Sequence, residues 1–220
     1  MVFLMKRGWI IICAYLLVCA LGYLGIITCQ HNLTGWFLIL TALAYGLGGP
    51  YLLWSNLKKE AIAHQERQDL SFWFILPGFL FIFYAPPLEY IYMSGIIPNP
   101  HWFQIIGLVL ITASLLLLTW ARLALKGMYS GRIRVKTDHA LIQNGPYHLI
   151  RHPAYVSYII MSLGIAFGFS SLIGLIAIPL FLVPGLIYRI SVEEKLLSEE
   201  FGEQYVQYTR LTWRLIPGIW

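Results

Sequence analysis

In four places within residues 1–125 the chain runs for some twenty positions almost without charge: residues 8–29, 33–54, 72–93 and 102–125. About twenty apolar residues in a helix suffice to cross the hydrocarbon of a bilayer. A fifth apolar stretch, 153–188, is too long for one crossing and fits two short ones. At its middle stands Gly168-Phe169-Ser170-Ser171, where a tight turn belongs. The chain therefore reads as an all-α, polytopic integral membrane bundle of about six membrane segments, the last two forming a helical hairpin. Pro179 and Pro184 interrupt the second arm, so one arm is expected to be partly re-entrant.

Composition agrees. Apolar residues make up 59% and charged residues 11%, too little polar surface to cover a soluble monomer of this size. A disordered chain, a disulfide scaffold and an ordinary soluble enzyme are thereby disfavoured. Cys13, Cys19 and Cys29 all fall in the first run. They have no metal-ligand spacing, so they read as apolar fillers and no metal is expected. Lys6 and Arg7 before the first run resemble the start of a signal peptide. The run is longer than such a segment needs and lacks a clear cleavage site, so a retained helix is expected.

The net charge of +5 would suggest nucleic acid in a soluble protein; here its placement explains it. Lys6 and Arg7 precede the first span, and Lys58, Lys59 and Arg67 follow the second. Arg122, Lys126, Arg132, Arg134, Lys136 and Arg151 surround the end of the fourth, and Arg189, Lys195, Arg210 and Arg214 follow the hairpin. All 15 basic residues thus fall on one side of a six-span arrangement. The positive-inside rule makes that side the cytoplasm and puts both termini there.

Residues 1–125 then form a four-span membrane region, and residues 126–220 carry the candidate chemistry. The loop 126–152 is too long for a bare connector. It ends in Gly145-Pro146-Tyr147-His148-Leu149-Ile150-Arg151-His152-Pro153-Ala154-Tyr155. Pro153 suits the first turn of a helix, which sets Arg151 and His152 at the water boundary. After the hairpin, Arg189 and Glu193 stand four apart on one helix face. Leu197, Phe201, Tyr205 and Tyr208 continue at helical spacing, as a packing stripe on the membrane or the loop. Read blandly, these clusters are a basic interface anchor, a tyrosine belt and an exposed ion pair. Read functionally, they are a polar ligand site at a hairpin's feet. Glu89, deep in the third run beside Pro86-Pro87, is an acid toward the outer face and reads as an interfacial group.

Taken in order, Gly-Pro-Tyr, Arg-His-Pro-Ala-Tyr, a hairpin, Arg-x-x-x-Glu-Glu-x-x-Leu, Phe-Gly-Glu-Gln-Tyr-Val-Gln-Tyr and Arg-Leu-Ile-Pro resemble the isoprenylcysteine carboxyl methyltransferase family. Phospholipid N-methyltransferases are more distant relatives. The resemblance covers residues 138–217. It implies an integral membrane enzyme that takes S-adenosylmethionine as methyl donor. It also implies a cofactor pocket made by His139, Ala140, Leu141, Ile142, Tyr147, His152, Pro153, Ala154, Tyr155 and Glu193. Arg189 matches the position facing the methyl acceptor. The chemistry is compatible. Glu193 can pair with the donor's ammonium and His152 can hydrogen-bond its polar groups. Tyr147 and Tyr155 can cover adenine or face the sulfonium. A carboxylate acceptor needs positioning and no general base, whereas an amine must first lose a proton. Carboxyl O-methylation of a lipophilic, isoprenylcysteine-like acceptor entering from the bilayer is therefore favoured, with lipids as the surrounding partners. The compartment is a bacterial inner membrane or the endoplasmic reticulum, with the active site cytoplasmic. The alternatives are a phospholipid or amine N-methyltransferase, an NADPH-dependent sterol-type reductase using Arg132, Arg134 and Lys136, and a non-enzymatic scaffold.

Overall fold

A computed structural model describes residues 2–44, 46, 71–93, 97–125 and 141–219. The described chain is helical, without β-strands. Helix α1 spans Val2–Cys29. A short turn reverses the chain into α2, Thr34–Ala44. Helix α3 spans Ser71–Met93, and α4 spans His101–Ala124. A 3-10 turn, Gly145–His148, precedes α5, Pro153–Gly168. Helix α6 runs over Leu172–Phe201, and α7 over Glu203–Leu211.

Most of these boundaries fall where the apolar runs start and stop, but α1 begins at Val2, ahead of its run, and α6 continues past Tyr188 to Phe201. The hairpin turn forms at Phe169–Ser171 as its sequence predicts, with Ser170 taking φ 53°. The expected interruption at Pro179 does not occur. Residues Ile178–Leu182 widen into one π-helical stretch that accommodates the proline, and α6 continues through Pro184. Helix α3 likewise stays helical through Pro77, Pro86 and Pro87.

Leu21, Leu24, Leu38, Ile82, Ile111, Ile165, Phe169, Leu182 and Leu186 form the core. Small residues let α4 and α5 meet backbone to backbone. A Cβ on Gly107 would sit 2.6 Å from the Gly164 carbonyl oxygen, and one on Gly164 would sit 2.8 Å from the Gly107 oxygen. Farther along the same pair, the Ser114 hydroxyl donates to the Ser157 carbonyl (2.8 Å).

Much apolar surface remains outside this core. Leu116, Trp120 and Leu123 of α4 and Ile176, Leu180 and Phe181 of α6 are exposed. Helices α4 and α6 are each long and apolar enough to cross a membrane, yet only 22% of the apolar window of α4 is buried. An apolar helix with so little protein around it needs lipid as its solvent. Helix α5, α2 and the Cys13–Cys29 part of α1 are shorter apolar helices.

The turn end of the hairpin (its outer end, away from the tail) is held by hydrogen bonds. Asn32 Nδ2 (2.9 Å) and Asn99 Nδ2 (3.2 Å) both donate to the Gly168 carbonyl, which α5's own ladder leaves open. Gln104 links the two donors' loops by accepting from Leu33 N–H (3.0 Å) and donating to Asn99 (2.9 Å). Glu89 corrects its sequence reading. It is buried and caps α6, accepting from the Ser171 hydroxyl and from Ile173 N–H (3.1 Å). The Ser171 oxygen in turn accepts from Gly174 N–H (2.7 Å). An acid here meets the positive end of the helix dipole.

Candidate active site

The other end of the hairpin is built around one short backbone pairing. The 3-10 turn brings the chain to Ile150, which forms a parallel bridge with Trp213. Arg151 N–H donates to the Trp213 carbonyl (2.7 Å), Trp213 N–H to Leu149 (3.1 Å) and His152 N–H to Arg214 (3.2 Å). Arg151 and His152 are thereby held on both sides, by α5 after them and by the tail beside them. The Tyr208 hydroxyl adds a bond to the Tyr147 carbonyl (2.7 Å). Tyr205 and Tyr208 are buried as the expected stripe requires. The stripe is split between two helices, however, because Gly202 takes φ 50° and starts α7 in a new direction.

Glu194 is the hub of this end. Its Oε1 accepts from Arg151 Nε (3.0 Å) and lies 3.3 Å from His152 Nε2, while Oε2 pairs with Arg214 (2.7 Å). Burial alone would raise its carboxyl; hydrogen bonds from His152, Arg214 and Arg151 outweigh that and hold it down at about 2. Arg151 also donates to the carbonyls of Thr209 (3.0 Å) and Thr212. One guanidinium thus ties α6, α7 and the tail together. The sequence reading passed over Glu194. Its only local signal is a second acid beside Glu193, and the cations that define it are distant in sequence.

Beside the hub stand the residues expected to do chemistry. The Tyr155 hydroxyl donates to Glu193 Oε2 (2.7 Å) and accepts from Arg189 Nε (3.0 Å). Arg189 and Glu193, four apart on α6, are therefore bridged by a hydroxyl from α5. The His152 ring stacks on Tyr155 with centroids 5.5 Å apart and planes 23° from parallel. His152 Nδ1 lies 3.9 Å from Glu193. Arg189 and His152 are buried, whereas the Glu193 side chain keeps 30% exposure. The structure thus brings together Arg189, Glu193, Tyr155 and His152.

Pro153 starts α5 and is buried, and Ala154 follows it half-buried. Leu141, Ile142 and Tyr147, also half-buried, lie on the approach to α5. His139 and Ala140 lie outside the described residues, as do Arg132, Arg134 and Lys136. Among the described residues no cluster of His, Cys, Asp and Glu could hold a metal ion.

A half-buried carboxylate next to two stacked rings can take an ammonium and cover a flat or sulfonium-bearing group. A buried guanidinium held by its Nε can orient an anion. Such a set suits a cationic, aromatic-bearing cofactor beside an acidic acceptor.

Known proteins are similar to this chain. A family model described as phospholipid methyltransferase matches residues 102–204. Protein-S-isoprenylcysteine O-methyltransferase B of Arabidopsis thaliana is 30% identical over 128 residues, covering 56% of this chain and 65% of the relative. The protein-S-isoprenylcysteine O-methyltransferase of Schizosaccharomyces pombe is 34% identical over 82 residues, 37% of this chain and 35% of the relative. The match thus spans less than two thirds of either relative. Among solved structures, a eukaryotic intramembrane Ras methyltransferase, isoprenylcysteine carboxyl methyltransferase, shares the fold. The TM-score is 0.64 at 20% identity, over 92% of this chain and 74% of that one.

The described residues are all-helical and share the fold of that intramembrane methyltransferase. In sequence the chain is similar to the protein-S-isoprenylcysteine O-methyltransferases.

Proposed function

We propose that the chain is an integral membrane, S-adenosylmethionine-dependent methyltransferase that methylates the carboxylate of a lipophilic, isoprenylcysteine-like acceptor. The observation that carries this reading is the chain Arg189–Tyr155–Glu193, with His152 stacked on the tyrosine. It sets an anion-orienting group and a cation-binding group on either side of one hydroxyl.

S-Adenosylmethionine, when bound, supplies a methyl on a sulfonium that an oxygen nucleophile displaces in line. Glu193 binds the donor's ammonium, its rotamer fixed by the bond from Tyr155. Tyr155 and His152 form the aromatic wall, and Tyr147, Leu141, Ile142, Pro153 and Ala154 line the remainder with His139 and Ala140. Arg189 holds the acceptor carboxylate. Because its Nε is engaged by Tyr155, the guanidinium plane is set before the acceptor arrives, which is how positioning lowers a displacement barrier. No residue has to remove a proton from a carboxylate. Residues 1–125 serve as the membrane anchor and 126–220 carry the chemistry. The bundle crosses the membrane about six times with both termini and the site cytoplasmic, and the acceptor's apolar tail enters from the bilayer.

The test is incubation of purified protein with methyl-labelled S-adenosylmethionine and a farnesylated cysteine derivative bearing a free carboxylate. Label released as methanol by base is expected. The description of the matching family model favours a second reading, N-methylation of an amine headgroup. In the same assay with a phosphatidylethanolamine extract, base-stable label on the lipid and none on the cysteine derivative would replace the first reading with the second.

A further inference from the structure

Alongside the candidate active site, α6 and the tail enclose a second cleft of ≈ 760 Å³. Arg189, Tyr155 and Glu193 do not line it. It shares the Glu194 hub and opens over the face of α6 that carries Ser191, Lys195 and Ser198, with α7 and residues 211–214 opposite. Four cations line it, Arg151, Lys195, Arg210 and Arg214, against one carboxylate, Glu194. That carboxylate is already shared by Arg151 and Arg214. Lys195 and Arg210 are exposed and have no ion pair among the described residues. A concave surface with such an excess of one charge concentrates positive potential. Arginine forks and hydroxyls are the donors that grip phosphate oxygens, and Ser191, Ser198 and Thr209 supply hydroxyls.

The rim identifies the source of the phosphate. Leu211 is 80% exposed and Trp213 43% exposed, both lining the cleft. Ile216 and Ile219 continue the exposed apolar edge. Apolar and tryptophan side chains beside a basic pocket are the pattern of a membrane interface. We propose that this cleft is a second binding site, for the phosphate of an anionic phospholipid headgroup, with the acyl chains lying along Leu211 and Trp213. It is independent of the methyl-transfer reading.

The test measures binding of dihexanoyl phosphatidylglycerol, dihexanoyl phosphatidylcholine and inorganic phosphate to the full chain in non-ionic detergent, by calorimetry and thermal shift. The expected result is saturable binding of phosphatidylglycerol that weakens as salt rises. The double variant Lys195→Gln/Arg210→Gln should lose about tenfold or more in affinity, and Lys195→Arg/Arg210→Lys should keep it. The melting temperature without lipid controls for folding. Equal binding of phosphatidylcholine, equal affinity in the glutamine variant, or inorganic phosphate binding as tightly as phosphatidylglycerol would each overturn the lipid site.

Discussion

The hairpin of α5 and α6 is anchored at each end by one buried glutamate, and the two ends use it in opposite ways. At the outer end Glu89 meets a serine hydroxyl and a backbone N–H. Its neighbours Asn32 and Asn99 close the end of α5 with amide donors. At the inner end Glu194 is shared by two arginines and a histidine. The outer arrangement is a helix cap, complete within itself. The inner one is an ionic junction that joins the motif before α5, the end of α6 and the tail. The difference teaches where change can be tolerated. The candidate site residues Arg189, Tyr155, Glu193 and His152 are all gathered at the end that ionic bonds hold.

The strongest way to break this comparison is Glu194→Ala. It strands the largely buried Arg151 guanidinium without its carboxylate, and breaking a buried pair costs about 3 kcal/mol or more. The expected outcome is a large fall in melting temperature in detergent and new protease cleavage around Arg210. An unchanged melting temperature would show that the junction does not hold the tail.

Acid tests the same junction without mutation. The Glu194 carboxyl is depressed from 4.5 to about 2, so its stabilisation is complete above 4.5 and is lost as pH falls toward 2. The tail should therefore resist proteolysis equally at pH 7 and pH 5, and loosen only below about 4.5. Loosening between 7 and 5 would show that the Glu194 carboxylate is not what holds the junction.

At the outer end, Glu89→Ala leaves Ile173 N–H and Ser171 without an acceptor, an expected cost of about 1–3 kcal/mol. Glu89→Gln should recover most of it, because a neutral acceptor suffices for a cap. A loss in the glutamine variant as large as in the alanine variant, read by thermal unfolding, would mean that charge matters at both ends.

The smallest change, Tyr155→Phe, removes one hydroxyl between Arg189 and Glu193. It should leave the unfolding free energy within about 1 kcal/mol of the parent, weaken donor affinity and raise acceptor KM several-fold. A loss confined to the donor would mean that Arg189 is placed without Tyr155.

Much of the architecture is legible in the sequence because hydrocarbon imposes its own length scale. Helices α3, α4 and α5 begin within a residue of the apolar runs, and Gly168–Ser171 makes the turn its composition promises. Helix α6 carries on past the apolar run to Phe201, because helical geometry continues into the charged segment. The prolines are less legible. Pro179 looks like a break, but a helix can widen by one π-turn at less cost than exposing backbone to lipid. Of the candidate site, His152, Tyr155, Arg189 and Glu193 are legible through their motif, and the structure brings them together. Glu89 and Glu194 are not legible. Each is defined by partners distant in sequence, Ser171 for one and Arg151 with Arg214 for the other, and helical spacing carries no trace of them. The stripe ending in Tyr208 is half legible: its aromatic residues pack as expected, but the positive φ of Gly202 redirects the helix between them.

The parallel bridge between Ile150 and Trp213 has a consequence for biosynthesis. Arg151 and Thr212 are 61 residues apart, so α5 has left the ribosome and begun inserting while its partner segment is still untranslated. The Arg-His pair stays unclamped until that segment emerges and folds back. A nascent chain therefore carries both helices of the hairpin before the pairing that clamps Arg151 and His152 can form.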